Sequence, residues 1–355
     1  MREKRNTQSK FLQKYHFRPS KKLGQNFLIS QKVLYKIIGA SDLSANDIVL
    51  EIGPGLGILT IELARRVKKV IAVEKDKRMV EALKKILAEN KIENVEITQG
   101  DILKLIPNDQ WLQLSFPRKR ESRKFSGAMD SRESGNDTRE DFRDSSLEIL
   151  PQATCAEPNR SKSRDDHYKV IANIPYYLTS PLIRKLLESD NPPQSMTLMI
   201  QKEVAQRICA SPAKIFAGQK FRRASPPRMS LLSVSVQFYA APKIISYVSR
   251  ESFWPQPEVD SAIIKITPSP LAFPISQLEK KYKNTFRDHF FKIVHAGFSH
   301  PRKQLANNLS TELKISRQKI ENFLEKVQLK PTQRAEELTV DNWRILTVLI
   351  VENIV

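Results

Sequence analysis

The sequence predicts an α/β fold: a doubly wound sheet followed by a smaller all-α domain. Three observations carry that expectation. Between residues 47 and 101 apolar strands alternate with stretches of helical period, and the alternation resumes at Lys169. A glycine-rich turn follows the first of these strands. Beyond a linker marked by Pro268, Pro270 and Pro274, only helical periods remain. Strands and helices in alternation imply right-handed crossovers and a parallel sheet.

In chain order, strands are expected at Ile48–Ile52, Val70–Glu74 and Val95–Gln99, with helices near Leu59–Val67 and Arg78–Asn90 between them. The pattern continues with a strand at Lys169–Asn173, a helix near Pro181–Glu188 and an apolar run at Met196–Gln201. Later strands fall near Lys243–Val248 and Ala262–Thr267. The C-terminal part carries helical periods near Leu278–Phe291, Arg302–Leu309, Arg317–Val327 and Val340–Val351. The expected division is 1–268 and 269–355.

The chain has 355 residues, enough for two domains, and a formal net charge of +20. That charge points to a polyanionic partner, with a membrane surface as the competing explanation. No apolar run approaches the roughly 18 residues that span a bilayer. Met1–Lys22 is basic but lacks the apolar segment of a secretory signal. Cys155 and Cys209 are the two cysteines, with no spacing that suits a metal or a disulfide. They fit a reducing cytoplasm and argue against thiol chemistry. The five histidines form no ligand pattern, so no metal is expected.

Val49–Thr60 reads as a strand entering the glycine loop Gly53-x-Gly55-x-Gly57 and then a helix. Glycines there let the backbone turn tightly and approach a ligand. Glu74 ends the next strand, where an acid can accept both ribose hydroxyls of a nucleoside. Asp101 ends the third, where a carboxylate or its backbone can meet an adenine amino group. A glycine loop with a downstream acid also fits nicotinamide dinucleotides, or a turn with no ligand. Two facts favour S-adenosylmethionine: the loop spacing is not the dinucleotide Gly-x-Gly-x-x-Gly, and a second acid stands where a base edge would lie.

The apolar strand 169–173 ends in Asn173-Ile174-Pro175-Tyr176, an amide, a bare carbonyl and an aromatic ring on one rigid turn. The exocyclic amine of adenine is a poor nucleophile because its lone pair is delocalised into the ring. The Asn173 amide oxygen and the Ile174 carbonyl can hold its two hydrogens, and Tyr176 can stack on a base taken out of its helix. Alone, the four residues equally describe a buried strand ending in an ordinary proline turn.

Together with Lys21–Leu28, Glu51–Gly57, Gln201–Ala205, Phe253–Ala262, His295–Leu305 and Arg334–Thr339, the tetrapeptide Asn173–Tyr176 makes seven ordered motifs. In these the chain resembles the small-subunit rRNA adenine N6,N6-dimethyltransferases over nearly all its length outside two inserts. The resemblance implies a Rossmann-like methyltransferase sheet with a helical RNA-binding C-terminal domain. It implies methyl transfer from S-adenosyl-L-methionine to two adjacent adenosines near the 3′ end of 16S rRNA, and a monomeric cytoplasmic enzyme acting on the small ribosomal subunit. Cofactor contacts carry over to Asn26, Leu28, Gly53, Gly55, Glu74, Asp101 and Asn173, with Gln25 and Phe27 bordering the pocket. Asn173, Ile174, Pro175 and Tyr176 form the catalytic turn. The macrolide-resistance methyltransferases of large-subunit rRNA share fold and tetrapeptide, but Phe253–Ala262 and Arg334–Thr339 favour the small-subunit enzyme. A non-catalytic ribosome-assembly factor on the same scaffold is the rival of another class.

Two stretches depart from the family. Residues 115–166 hold eleven basic and eleven acidic residues and, from Pro117 to Asp144, no Ile, Leu or Val. Such a segment buries too little to offset its ordering entropy and is expected to be disordered. It enters before a strand, on the sheet edge opposite the ligand edge. Ser211–Ser230 carries five cations and no acid, and replaces the family's Tyr-Gly-Arg before Leu232–Val234. Deleting residues 115–165 is expected to leave affinity for S-adenosylmethionine, measured by calorimetry, within about a few-fold of wild type.

Overall fold

The computed structural model describes residue 19 and residues 24–106, 167–189, 191–212, 228–269, 282 and 285–354. The expected inserts at 115–166 and, for the most part, 211–230 lie outside the described residues, as do Lys21–Leu23 and most of the linker after Pro268.

The first half of the chain builds β1 (Phe27–Leu28), α1 (Gln31–Ala40), β2 (Ile48–Ile52), α2 (Ile58–Ala64), β3 (Lys69–Glu74), α3 (Lys77–Glu89), β4 (Val95–Gln99) and α4 (Ile102–Leu105). Then come β5 (Lys169–Asn173), a 3-10 turn at Tyr176–Leu178, α5 (Thr179–Leu187), β6 (Ser195–Gln201) and α6 (Lys202–Ile208). These are followed by α7 (Leu231–Tyr239), β7 (Ala240–Val248), β8 (Phe253–Trp254) and β9 (Ser261–Pro268). The seven-stranded sheet has the order β4-β3-β2-β5-β6-β9-β7, and β1 pairs with β8 in a separate ribbon.

The strands from β4 to β6 run parallel, but β9 is antiparallel to both β6 and β7. The sheet is therefore mixed, which corrects the wholly parallel expectation. β7 and β9 are joined without a crossover helix, only by 3-10 turn, β8 and loop, and such a connection returns the chain antiparallel. The central strands read as continuous apolar runs because helices cover both faces. On one face Ile48, Leu50, Val170 and Leu198 pack with α4 to α7. On the other, Val49, Val70, Ile171 and Met199 pack with α1 and α2.

The C-terminal helices are α8 (Phe286–Gly297), α9 (Leu305–Leu313), α10 (Arg317–Lys326) and α11 (Val340–Ile354). The expected Leu278–Phe291 helix is corrected to one beginning at Phe286. Leu278, Tyr282, Phe286 and Phe290 recur every four residues, so the periodic signal has no edge at the true start. α7 belongs to two cores at once. Val236 packs under the sheet, while Val234 and Phe238 pack with Phe290, Leu305 and Trp343. Arg344, 4% exposed, donates to the Phe238 carbonyl at 2.9 Å and pairs with Asp341 at 2.7 Å.

At the end of α8, Gly297 lies against the Trp343 ring; a Cβ there would stand 2.3 Å from Cη2. Both elements are held in the helical core, so the clash cannot be relieved by a side-chain rotation. Gly297→Ala is expected to lower stability by about 1–3 kcal/mol, read as a fall in the urea midpoint with unchanged slope.

Candidate active site

All the strands from β4 to β6 end on one edge, and the site is built there. The glycine loop after β2, the acids after β3 and β4, and the turn after β5 line a single pocket together with Gln25–Leu28. This is where an open α/β sheet holds ligands, outside its strand C-termini.

Gly53 and Gly55 adopt φ +69° and +57°, a region that disfavours side chains. Space beside Gly53 is open, whereas a Cβ on Gly55 would come within 3.1 Å of the Phe27 ring. Gly57 is separated from the other two: its Cα faces Leu83 of α3, and it does not line the pocket. The third glycine of the loop thus serves helix packing.

Glu74, 8% exposed, is held by three backbone amides. Its Oε1 accepts from Lys75 N at 2.8 Å and Asp76 N at 2.9 Å, and its Oε2 from Gly55 N at 3.3 Å. Burial raises its pKa, and these amides oppose the rise. Asp101 caps α4 through Leu103 N at 3.1 Å, and its other oxygen accepts from Lys75 Nζ at 2.9 Å. Lys75 holds the Asp101 carboxyl below the usual carboxylate range. Lys75 is a site residue that sequence reasoning passed over, because an exposed lysine after a strand carries no signal of its own.

The segment Gly24–Leu28 lies across the pocket as a strap. Phe27 and Leu28 pair with Trp254 and Phe253 of β8, and Gln25 Nε2 donates to Asp76 Oδ2 at 3.2 Å. Asn173 Nδ2 donates to the Asn26 carbonyl at 3.0 Å. Only the amide NH2 can donate to a carbonyl, so this contact assigns the amide's orientation and leaves Oδ1 as its acceptor. Leu28 is buried core as well as pocket wall. Phe253 reaches the pocket only through the β1–β8 pairing, a contact between residues too far apart in sequence to be read locally.

Ile174 is buried and donates its N–H to Met199 O at 3.2 Å, which fixes the turn. Pro175, at φ −54°, opens the 3-10 turn that follows. Tyr176 is half-buried, its hydroxyl 3.0 Å from Ser261 Oγ, and burial raises its pKa. Every residue expected at the catalytic turn and the cofactor end therefore borders the same pocket. The Cys209 thiol is half-buried and pushed up to about 11 by burial, the reverse of an activated nucleophile. Among the described residues no group of His, Cys, Asp or Glu could hold a metal, and no helix is long and apolar enough to cross a membrane.

Beneath the loop, Glu51 is 1% exposed, and its Oε2 has no hydrogen-bond partner among the described residues. Burial pushes its carboxyl from 4.5 up to about 8, the Thr60 hydroxyl opposing and Glu74 adding to the rise. Between these two values the unfolded carboxyl is ionised and the folded one protonated, so stability falls as pH rises through the window. The slope reaches about 1.4 kcal/mol per pH unit at most. Glu51→Gln is expected to flatten the decline in urea-unfolding stability between pH 5 and 8.

The sequence profile of the ribosomal RNA adenine dimethylases matches residues 16–350. The chain is 35% identical to "Ribosomal RNA small subunit methyltransferase A" of Dehalococcoides mccartyi over 340 residues, 96% of this chain and 91% of that protein. It is 34% identical to the protein of the same name from Alkaliphilus oremlandii, covering 94% and 93% of the two chains. For that of Clostridioides difficile the identity is 30%, with 97% and 95% covered. Among solved structures, a dimethyladenosine transferase from Plasmodium falciparum superposes with a TM-score of 0.59 at 24% identity, covering 92% of this chain and 98% of that one. The 23S rRNA methyltransferase ErmE gives 0.57 at 21% identity, with 92% and 100% covered. These two likenesses establish the Rossmann-like methyltransferase fold. The profile match, running through both the sheet and the C-terminal helices, places the chain in the ribosomal RNA adenine dimethylase family.

Proposed function

We propose that the chain methylates N6 of two adjacent adenosines near the 3′ end of 16S rRNA, using S-adenosyl-L-methionine and acting as a cytoplasmic monomer on the small ribosomal subunit. The carrying observation is the Asn173 amide, whose NH2 is committed to the Asn26 carbonyl and whose oxygen is left to accept. The residues at the cofactor end suit a nucleoside with a cationic tail. Gly53 leaves open room beside the backbone, and Glu74 and Asp101 present carboxylates at adjoining strand ends. Glu74 would take the ribose hydroxyls, Asp101 the adenine edge, and Asn26, Leu28 and Gly55 the walls around them. Residues 1–268 would carry the chemistry, and residues 269–355 would dock RNA.

S-adenosylmethionine supplies a methyl group on a sulfonium, which leaves as a neutral thioether without metal or covalent help. Asn173 Oδ1 and the Ile174 carbonyl orient the target amine and stabilise the positive charge it gains as the N–C bond forms and the S–C bond breaks. The proton then passes to water. Pro175 holds the two acceptors on one rigid turn, and Tyr176 stacks on the base. In the second round the amine has one hydrogen left, so one acceptor is released and the pocket must admit the first methyl group.

The large-subunit reading has less support: the relatives at 30–35% identity carry small-subunit names, and the likeness to ErmE is one of fold. With purified, unmethylated small subunits and labelled methyl donor, Asn173→Ala is expected to lower incorporation by about 10²–10³-fold, the range for loss of one positioned polar group in a transition state. Unchanged incorporation would end the role given to Asn173, and mapping of the labelled adenines in each rRNA separates the two subunits.

A further inference from the structure

Tyr177 has no part in the site as described, yet it stands at its mouth. It follows Tyr176 in the 3-10 turn, where successive side chains diverge by a third of a turn. Tyr176 points inward to Ser261, while Tyr177 is 53% exposed and lines the rim. Its ring lies over Gly24 of the strap, with Cδ1 and Cε1 each 3.8 Å from where a Cβ would be. Its hydroxyl has no hydrogen-bond partner among the described residues, and the Lys75 ammonium is near enough to interact with it electrostatically. A large exposed ring with no polar anchor, seated on a glycine beside a cation, is an arrangement that suits an unstacked base and its phosphate.

We propose that Tyr177 is the platform on which the nucleobase adjoining the target adenosine stacks, a flanking-nucleotide subsite beside the methyl-transfer pocket. The inference rests on the proposed function. Withdrawing one base from a strand leaves its neighbour without a stacking partner, and Tyr177 offers a replacement surface one residue along the chain from Tyr176. With two adjacent targets, the base on Tyr177 in one round is the target in the other, so the subsite takes a purine. Lys75, already paired with Asp101, brings positive charge to the same rim.

The test compares wild type, Tyr177→Phe, Tyr177→Leu and Tyr177→Ala on unmethylated small subunits, measuring KM for the subunit, kcat and cofactor affinity. Base–aromatic stacking of about 1–3 kcal/mol corresponds to roughly 5- to 150-fold in KM. Leu and Ala are expected to raise subunit KM at least about fivefold, and Phe to stay within about twofold of wild type, with cofactor Kd within about twofold throughout. A wild-type KM in Tyr177→Leu would overturn the proposal in favour of simple packing on Gly24. Impairment of Phe equal to that of Ala would overturn it in favour of a hydroxyl contact. A parallel rise in cofactor Kd would assign Tyr177 to the cofactor pocket instead. Methyl incorporation by wild type in the same assay tests the underlying function separately, and its absence would overturn both.

Discussion

Burial of the central strands on both faces governs everything else in this molecule. β2 is buried along its whole length, and β5 along its middle three residues. A strand so enclosed can present polar groups only where it ends, since a polar side chain inside the layer would be desolvated without compensation. The functional groups therefore collect at the strand C-termini: Gly53 after β2, Glu74 at the end of β3, Asp101 beyond β4 and Asn173 at the end of β5. Glu51 is the exception inside the layer. It is tolerated because it sits one residue from the strand end and remains protonated at neutral pH.

The strap converts that row of groups into a site. A bare strand edge offers acceptors and glycines but nothing to set the angle of an amide. Asn26 sets the angle of Asn173, Gln25 ties the strap to the N-cap of α3 through Asp76, and β8 holds Phe27 and Leu28 in register. The same Asp76 is kept well ionised by Arg78. The orientation of one amide thus draws on elements from three distant parts of the chain.

What was legible in the sequence was what is local. The five parallel strands and the glycine loop are short patterns whose period or spacing has a direct backbone meaning, and all were readable within a residue or so. The residues of the two ligand ends converge because each follows a strand of the same sheet, a rule that needs no knowledge of contacts. What escaped depends on distance along the chain. The β1–β8 ribbon pairs two-residue segments too short to show alternation. The reversal at β9 is set by how β7 returns, not by the composition of β9. Tyr177 and Tyr176 are the same residue type side by side, and only the 3-10 turn sends one inward and the other to the rim.

The sharing of α7 between two cores has a mechanical consequence. Phe238 touches Phe290 and Phe291 on the helical side, while Val236 one turn face away lies under the sheet. Stripping the C-terminal helices would leave Val234 and Phe238 as an open apolar wall, and melting α7 would unroof both interiors together. The sheet and the helical bundle thus behave as rooms with a common wall, which cannot be demolished for one without exposing the other.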